Sequence, residues 1–227
     1  MKRAITMIVL AGAMTLLSLG CQKKEAESTK PAAESPKKEE AAPVTEVKPK
    51  MVPQVSQAEM QAITFKQGEK PRVKLETSLG TIIVELWPDV APIHCKNFVY
   101  LAQKGFYDSV LVHRVIPGFV LQSGDPLGDG SGGPGYSIPG EFSDRKHVKG
   151  SLSMAREQDP NSAGSQFFIC LGSTPNLDGK YSVFGQTVEG MDVIDKFNQV
   201  KTVPNDYGES SRPAELIYLI KATVLTQ

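Results

Sequence analysis

Cysteine and histidine are scarce: three of each occur in 227 residues. Cys21, Cys95 and Cys170 are too widely spaced to form the close CxxC pair of a structural zinc site or a redox dithiol. Metal chemistry therefore has little support. Charge of one sign is also lacking, since 25 basic residues face 25 acidic ones. No long-range field draws the protein to a polyanion, and nucleic acid is not an expected partner. Strands do not alternate repeatedly with long helices, and no Walker loop follows a strand-like run, which excludes a doubly wound nucleotide-binding fold. The glycines between Gly128 and Gly133 have no Lys-Ser/Thr sequel and read as a loop. Aromatic residues are absent before Phe65, so the N-terminal part of the chain has too little to bury.

That N-terminal part divides in two. Residues 1–20 read as a secretory signal: Lys2 and Arg3 give the positive start, and residues 5–19 form an apolar stretch too short to span a bilayer comfortably. Leu17-Ser18-Leu19-Gly20-Cys21 resembles a bacterial lipobox, in which a small residue precedes the cysteine that is acylated, with Ser18 where leucine is usual. Cys21 is the expected lipidation site. Gln22 after it, rather than aspartate, implies the outer membrane, facing the periplasm. A soluble periplasmic or secreted protein is the alternative. Residues 21–67 are dominated by Lys, Glu, Ala and Pro, and Pro31, Pro36, Pro43, Pro49 and Pro53 interrupt any helix. A disordered stalk is expected here, with room for one short helix near residues 58–64.

From residue 68 to 227 the texture is that of a folded domain. Val73, Leu75 and Thr77 alternate with polar residues, Ser78-Leu79-Gly80 turns the chain, and Ile82, Val84 and Leu86 alternate again, which predicts a β-hairpin. Pro92 opens a helix with Cys95, Phe98, Val99 and Ala102 on one face, and Gly105 stops it. Further strands are expected at residues 110–116, 119–122, 151–155, 166–171, 182–186 and 216–225, with a second helix at 191–197. Eight strands and two helices imply a mainly β fold built on a closed antiparallel barrel.

Three ordered segments carry more specific information. They are His113-Arg114-Val115-Ile116-Pro117-Gly118-Phe119 with Gln122-Ser123-Gly124-Asp125, then Ser153-Met154-Ala155 with Ser165-Gln166-Phe167-Phe168-Ile169, then Leu177-Asp178-Gly179-Lys180-Tyr181-Ser182-Val183-Phe184-Gly185. In order and spacing they resemble the signatures of the cyclophilin-type peptidyl-prolyl cis–trans isomerases, across residues 71–227. The resemblance implies an eight-stranded cyclophilin-like barrel with two capping helices and proline-containing polypeptide substrates; rotation about an amide bond requires no cofactor, and a monomer is expected. With the signal sequence, those clients would be unfolded exported proteins.

The chemistry is rotation about an amide bond whose barrier is about 18–20 kcal/mol. As the bond twists, the prolyl nitrogen regains a lone pair and accepts a hydrogen bond that the planar amide cannot. On sequence alone, Arg114 in an alternating strand is either an ion-pair partner or such a donor; the resemblance makes it the catalytic arginine. Gln122 and Gln166 can each donate and accept, so one can hold Arg114 while the other binds substrate backbone. Gln166 and Phe168 share one strand face, opposite Phe167, Ile169 and Leu171. Phe119 and Phe168 read first as core aromatics, and Ala155 as a packing residue. The resemblance instead assigns Phe168, with Gln122, to catalysis, and Phe119, Val120, Ala155, Gln166, Leu177 and Tyr181 to substrate binding. Tyr181 replaces a histidine common in that pocket, and Asn176 replaces a tryptophan that contacts cyclosporin in many relatives. A proline-peptide-binding chaperone or scaffold with little catalysis is the alternative function. His113 and Cys170 read as structural.

Overall fold

The computed structural model describes residues 52–225; the expected signal peptide, Cys21 and the linker up to residue 51 lie outside the described residues. The helices are α1 (Gln57–Gln61), α2 (Pro92–Gln103) and α3 (Met191–Phe197). The strands are β1 (Arg72–Thr77), β2 (Gly80–Leu86), β3 (Val110–Leu111), β4 (Arg114–Ile116), β5 (Val120–Ser123), β6 (Ser151–Met154), β7 (Phe167–Cys170), β8 (Val183–Glu189), β9 (Thr202–Pro204), β10 (Ser210–Pro213) and β11 (Tyr218–Leu225). A single 3₁₀ turn, Pro175–Leu177, is described between β7 and β8.

Alternation explains the first hairpin. Val73 and Leu75 of β1 and Ile82, Val84 and Leu86 of β2 are buried on one face, and the strands pair from Arg72↔Glu85 to Thr77↔Gly80. The hairpin belongs to a nine-stranded sheet in the order β3-β11-β1-β2-β8-β6-β7-β5-β4. Two corrections to the sequence-based picture follow. The run expected as one strand over 110–116 is two, broken at Val112 and His113, because β3 pairs with β11 while β4 pairs with β5. With that run split, the sheet has nine strands rather than eight, and its hydrogen-bonded order runs from β3 to β4. Those two end strands are joined by only two residues, a reach of roughly 10 Å. The sheet must therefore curl back on itself until its edges are chain neighbours. A separate two-stranded sheet, β9 with β10, completes the strand set.

The core fills the curl. Phe98 of α2 meets Phe167 of β7 edge-on at 5.1 Å, and Tyr107 and Phe184 lie 5.1 Å and 5.3 Å from the Phe98 ring. Cys95, Phe98, Val99 and Ala102, the face expected from the spacing, are all buried. The N-terminus of α2 has no side-chain cap from Ala91. Instead, Glu141 reaches in from a distant loop and accepts from the backbone N–H of Ile93 at 3.0 Å and of His94 at 2.9 Å. A carboxylate here satisfies orphan donors and complements the helix dipole.

The stalk ends earlier than the composition suggests. Residues 52–67 lie among the described residues, and within them α1 buries Met60 to 1% exposure. Ser56 N–H donates to Tyr100 Oη at 2.7 Å, and Tyr100 Oη donates to Glu59 at 2.9 Å. Lys104 pairs with Glu59 at 2.7 Å. Met60→Ala is expected to cost about 2–4 kcal/mol of unfolding free energy in urea titration, as a buried large-to-small change does. A cost below about 0.5 kcal/mol, the range of surface substitutions, would mean that this segment is not part of the domain.

Candidate active site

The strand register assembles the site. Arg114 of β4 stands opposite Gln122 of β5, and Gln122 stands opposite Phe168 of β7. Directly paired residues of antiparallel strands project to the same face, so the three side chains form a row across three strands. One step along, Ile116, Val120 and Cys170 form the next same-face row. Strand β7 has two faces: Phe167 and Ile169 belong to the main core, while Phe168 and Cys170 belong to a second apolar cluster with Val120 and Leu177. Phe119, Ala155 and Tyr181 pack against this second cluster.

Two glycines hold the register. Pro117-Gly118 joins β4 to β5 with Gly118 at φ 75°, and Phe119 N–H donates to Ile116 O at 2.9 Å. Proline followed by a positive-φ glycine is the pattern of a type II turn. Gly124 has φ 88°, and a Cβ there would come within 2.3 Å of the Ser165 carbonyl oxygen. That close approach lets Ser165 Oγ donate to Gly124 O at 2.7 Å and brings Gln166 alongside Gln122.

A cavity of about 240 Å³ opens over the second cluster. Arg114 and Gln122 lie at its polar side, and Phe119, Val120, Ala155, Phe168, Leu177 and Tyr181 supply the rest of the wall. Of the residues expected in catalysis and substrate binding, Gln166 alone falls outside this lining, in an adjoining groove of about 570 Å³ that also contains Gln122 and Ala155. Arg156, which the sequence reading did not single out, lines both spaces. Its guanidinium lies 4.8 Å from the Tyr181 ring centre, and Nε and Nη2 donate to Lys180 O at 3.1 Å and 2.8 Å. Arg156 thereby braces the wall. A basic residue directly after Met154-Ala155 was the available signal.

The floor is fixed from behind. Phe168 is 5% exposed, edge-on to Tyr181 at 5.6 Å and stacked on His147 at 5.9 Å. Burial lowers the His147 pKa, and Asp178 opposes that shift. Nδ1 lies 3.0 Å from Asp178 Oδ1, and Nε2 lies 3.1 Å from Ser153 Oγ, whose own hydroxyl donates to Ser182 O at 2.9 Å. The His147 backbone and side-chain donors hold the Asp178 carboxyl below its ordinary value. Cys170 contacts Thr174 Oγ1 at 3.4 Å, and burial raises its thiol to about 11, which suits a packing role. His113 lies in the break between β3 and β4, where burial lowers its pKa, and it does not line the cavity. Among the described residues, no group of three or more His, Cys, Asp or Glu side chains could hold a metal ion.

The polar side differs from expectation. Gln166 Nε2 donates to the carbonyls of Gly130 and Gly132 at 2.8 Å and 2.9 Å. Carbonyls only accept, so the amide orientation is fixed and Gln166 Oε1 must face Gln122, whose Nε2 donates to it at 2.9 Å. Among the described residues, Arg114 hydrogen-bonds to Glu209 and to neither glutamine. That guanidinium is held by Glu209, a residue the sequence reading missed: Nε donates to Oε2 and Nη2 to Oε1, both at 2.9 Å. The Arg114 guanidinium in turn lowers the Glu209 pKa. The pair is separated by 95 positions and lies in no repeating pattern, so no sequence signal announces it.

Known proteins resemble this chain across the domain that carries the site. A family model described as cyclophilin type peptidyl-prolyl cis-trans isomerase/CLD matches residues 72–224. The peptidyl-prolyl cis-trans isomerase ppi1 of Schizosaccharomyces pombe is 46% identical over 160 residues, covering 67% of this chain and 98% of that protein. The peptidyl-prolyl cis-trans isomerase-like 1 of Aspergillus oryzae is 45% identical over 162 residues, covering 68% and 96%. A crystal structure of a cyclophilin type peptidyl-prolyl cis-trans isomerase from Cryptosporidium parvum superposes with a TM-score of 0.65 at 31% identity, covering 70% of this chain and 99% of that one. The same protein in the presence of the dipeptide Ala-Pro gives 0.64 at 32% identity, covering 69% and 99%. With relatives matched over nearly their whole length, the chain belongs to the cyclophilin-type family and is a peptidyl-prolyl cis–trans isomerase.

Proposed function

We propose that the apolar cavity seats the proline ring while Arg114 donates to the prolyl nitrogen as the X-Pro bond twists. The observation that carries this reading is the row Arg114, Gln122, Phe168, which sets a guanidinium beside an apolar cavity of about 240 Å³. Phe119, Phe168 and Leu177 hold the ring, and the acyl side rotates. Pyramidal nitrogen accepts a hydrogen bond that planar nitrogen does not, so Arg114 stabilises the twisted state more than either planar isomer. Glu209 occupies Nε and one Nη2 hydrogen, which leaves both Nη1 hydrogens and the other Nη2 hydrogen for substrate. Gln122 Oε1 accepts from no protein donor among the described residues and is free to receive a substrate N–H. No proton is transferred and no covalent bond is made. A dipeptide of the Ala-Pro kind, present with the Cryptosporidium parvum relative, is the minimal substrate fragment for this cavity.

Arg114→Ala is expected to slow isomerisation of a proline peptide by about 10²–10³-fold, the loss typical of removing one transition-state donor. The thermal midpoint should hardly move, because the lost ion pair is partly exposed, 28% at Arg114 and 43% at Glu209. Unchanged turnover would remove Arg114 from the mechanism. An inactive unmutated chain that still binds the peptide would favour a binding module instead.

The setting is a second part of the proposal. Cys21 is acylated, residues 22–51 act as a tether, and the isomerase domain works on exported polypeptides at the periplasmic side of the outer membrane. The lipobox-like run and the Pro-interrupted, aromatic-free composition support this, and several acyl chains at about 0.8 kcal/mol per buried methylene give lasting attachment. In a bacterial host, the unmutated chain is expected in the membrane fraction with fatty-acid label, and Cys21→Ser in the soluble fraction without it. Equal partitioning of the two would rule the anchor out.

A further inference from the structure

Arg114 is long and, in its strand, reaches toward solvent at the cavity mouth. A free guanidinium there would sample many rotamers, and each mismatched one would move the donor off the prolyl nitrogen. The β9–β10 hairpin removes that freedom. Its turn is built around Asn205: the backbone N–H of Asn205 donates to Glu209 O at 2.8 Å, and Asn205 Oδ1 accepts from the N–H groups of Tyr207 and Glu209, both at 3.0 Å. Asn205 Nδ2 also donates to Ser211 Oγ at 3.2 Å. The backbone of Glu209 is thus pinned at both its N–H and its C=O. A pinned backbone presents the carboxylate to Arg114 in a fork-to-fork pair, the geometry that best orients a guanidinium.

We infer that Glu209 is a positioning residue for the isomerisation step, holding the Arg114 guanidinium aimed at the cavity; this rests on the catalytic reading of Arg114. Two observations separate positioning from blocking. Arg114 lines the cavity while it is paired, and Glu209 is not among the residues lining it. The carboxylate therefore grips the guanidinium from outside and leaves the mouth open. Stability does not explain the pair, since exposed ion pairs contribute little.

The test is steady-state isomerisation of a proline peptide by the full chain carrying Glu209→Ala, Glu209→Gln, Arg114→Ala, or both alanine changes. Glu209→Ala is expected to lower kcat about tenfold with KM within about twofold, because orientation and not binding is lost. Glu209→Gln, which keeps an acceptor for Nε, should recover part of the loss. The double variant should be no slower than Arg114→Ala alone, since Glu209 acts only through Arg114. In proton NMR, the Arg114 Nε–H signal should exchange slowly in the unmutated chain and rapidly in Glu209→Ala. Unchanged or raised kcat in Glu209→Ala, with Arg114→Ala impaired, would overturn the positioning role and leave the Arg114 mechanism standing. Full activity in Arg114→Ala would overturn both.

Discussion

The pairing of Arg114 with Gln122 and of Gln122 with Phe168 is the constraint on which this site depends. Side chains alternate along a strand, so a slip of one residue in β5 would send Gln122 to the core and bring Ser123 to the cavity. Several local features keep the register. Pro117-Gly118 closes the β4–β5 turn, Gly124 allows the close approach to Ser165, and Phe167 locks β7 against Phe98. The core aromatic Phe167 and the site aromatic Phe168 are adjacent residues on opposite faces of one strand. Packing on one side therefore sets the geometry on the other.

Beneath and around the cavity, polar groups act as braces rather than reactants. His147, between Asp178 and Ser153, supports the Phe168 ring; Arg156 supports Tyr181; Gln166, tied to Gly130 and Gly132, supports Gln122. The His147 and Gln166 braces join loops to the strand residues Phe168 and Gln122, and the Arg156 brace joins two loops to each other. The result suits a reaction in which nothing is bonded or oxidised, and where orientation of a donor against a held ring is the available means of lowering the barrier.

What the sequence disclosed and what it hid follow from the range of the interactions. The β1–β2 hairpin, the buried face of α2 and the two faces of β7 all arise from neighbours within a few residues, and periodicity reveals them. Most residues that line the cavity were legible because three motifs carry them together, whereas Arg156 was not singled out. The break at Val112 and His113 was not, since apolar residues continue through it and only pairing with β11 and β5 separates the two strands. Composition placed Met60 in the stalk, but Met60 is buried in the main core, and Ser56 and Glu59 bond to Tyr100 in α2, more than forty positions from each. Glu141 at the α2 N-terminus and Glu209 on Arg114 are long-range carboxylate contacts of the same kind, with no local pattern to mark them.

The central claim is that a guanidinium fixed in direction, and not merely a positive charge, lowers the barrier. Two-dimensional NMR exchange on a proline peptide with the full chain and Arg114→Lys tests it most directly. Lysine keeps the charge and can still pair with Glu209, but as a point donor without the fork. The account predicts that cis–trans exchange with the lysine variant falls to within about threefold of the Arg114→Ala rate, the usual scatter of such effects. Exchange at the unmutated rate would contradict it.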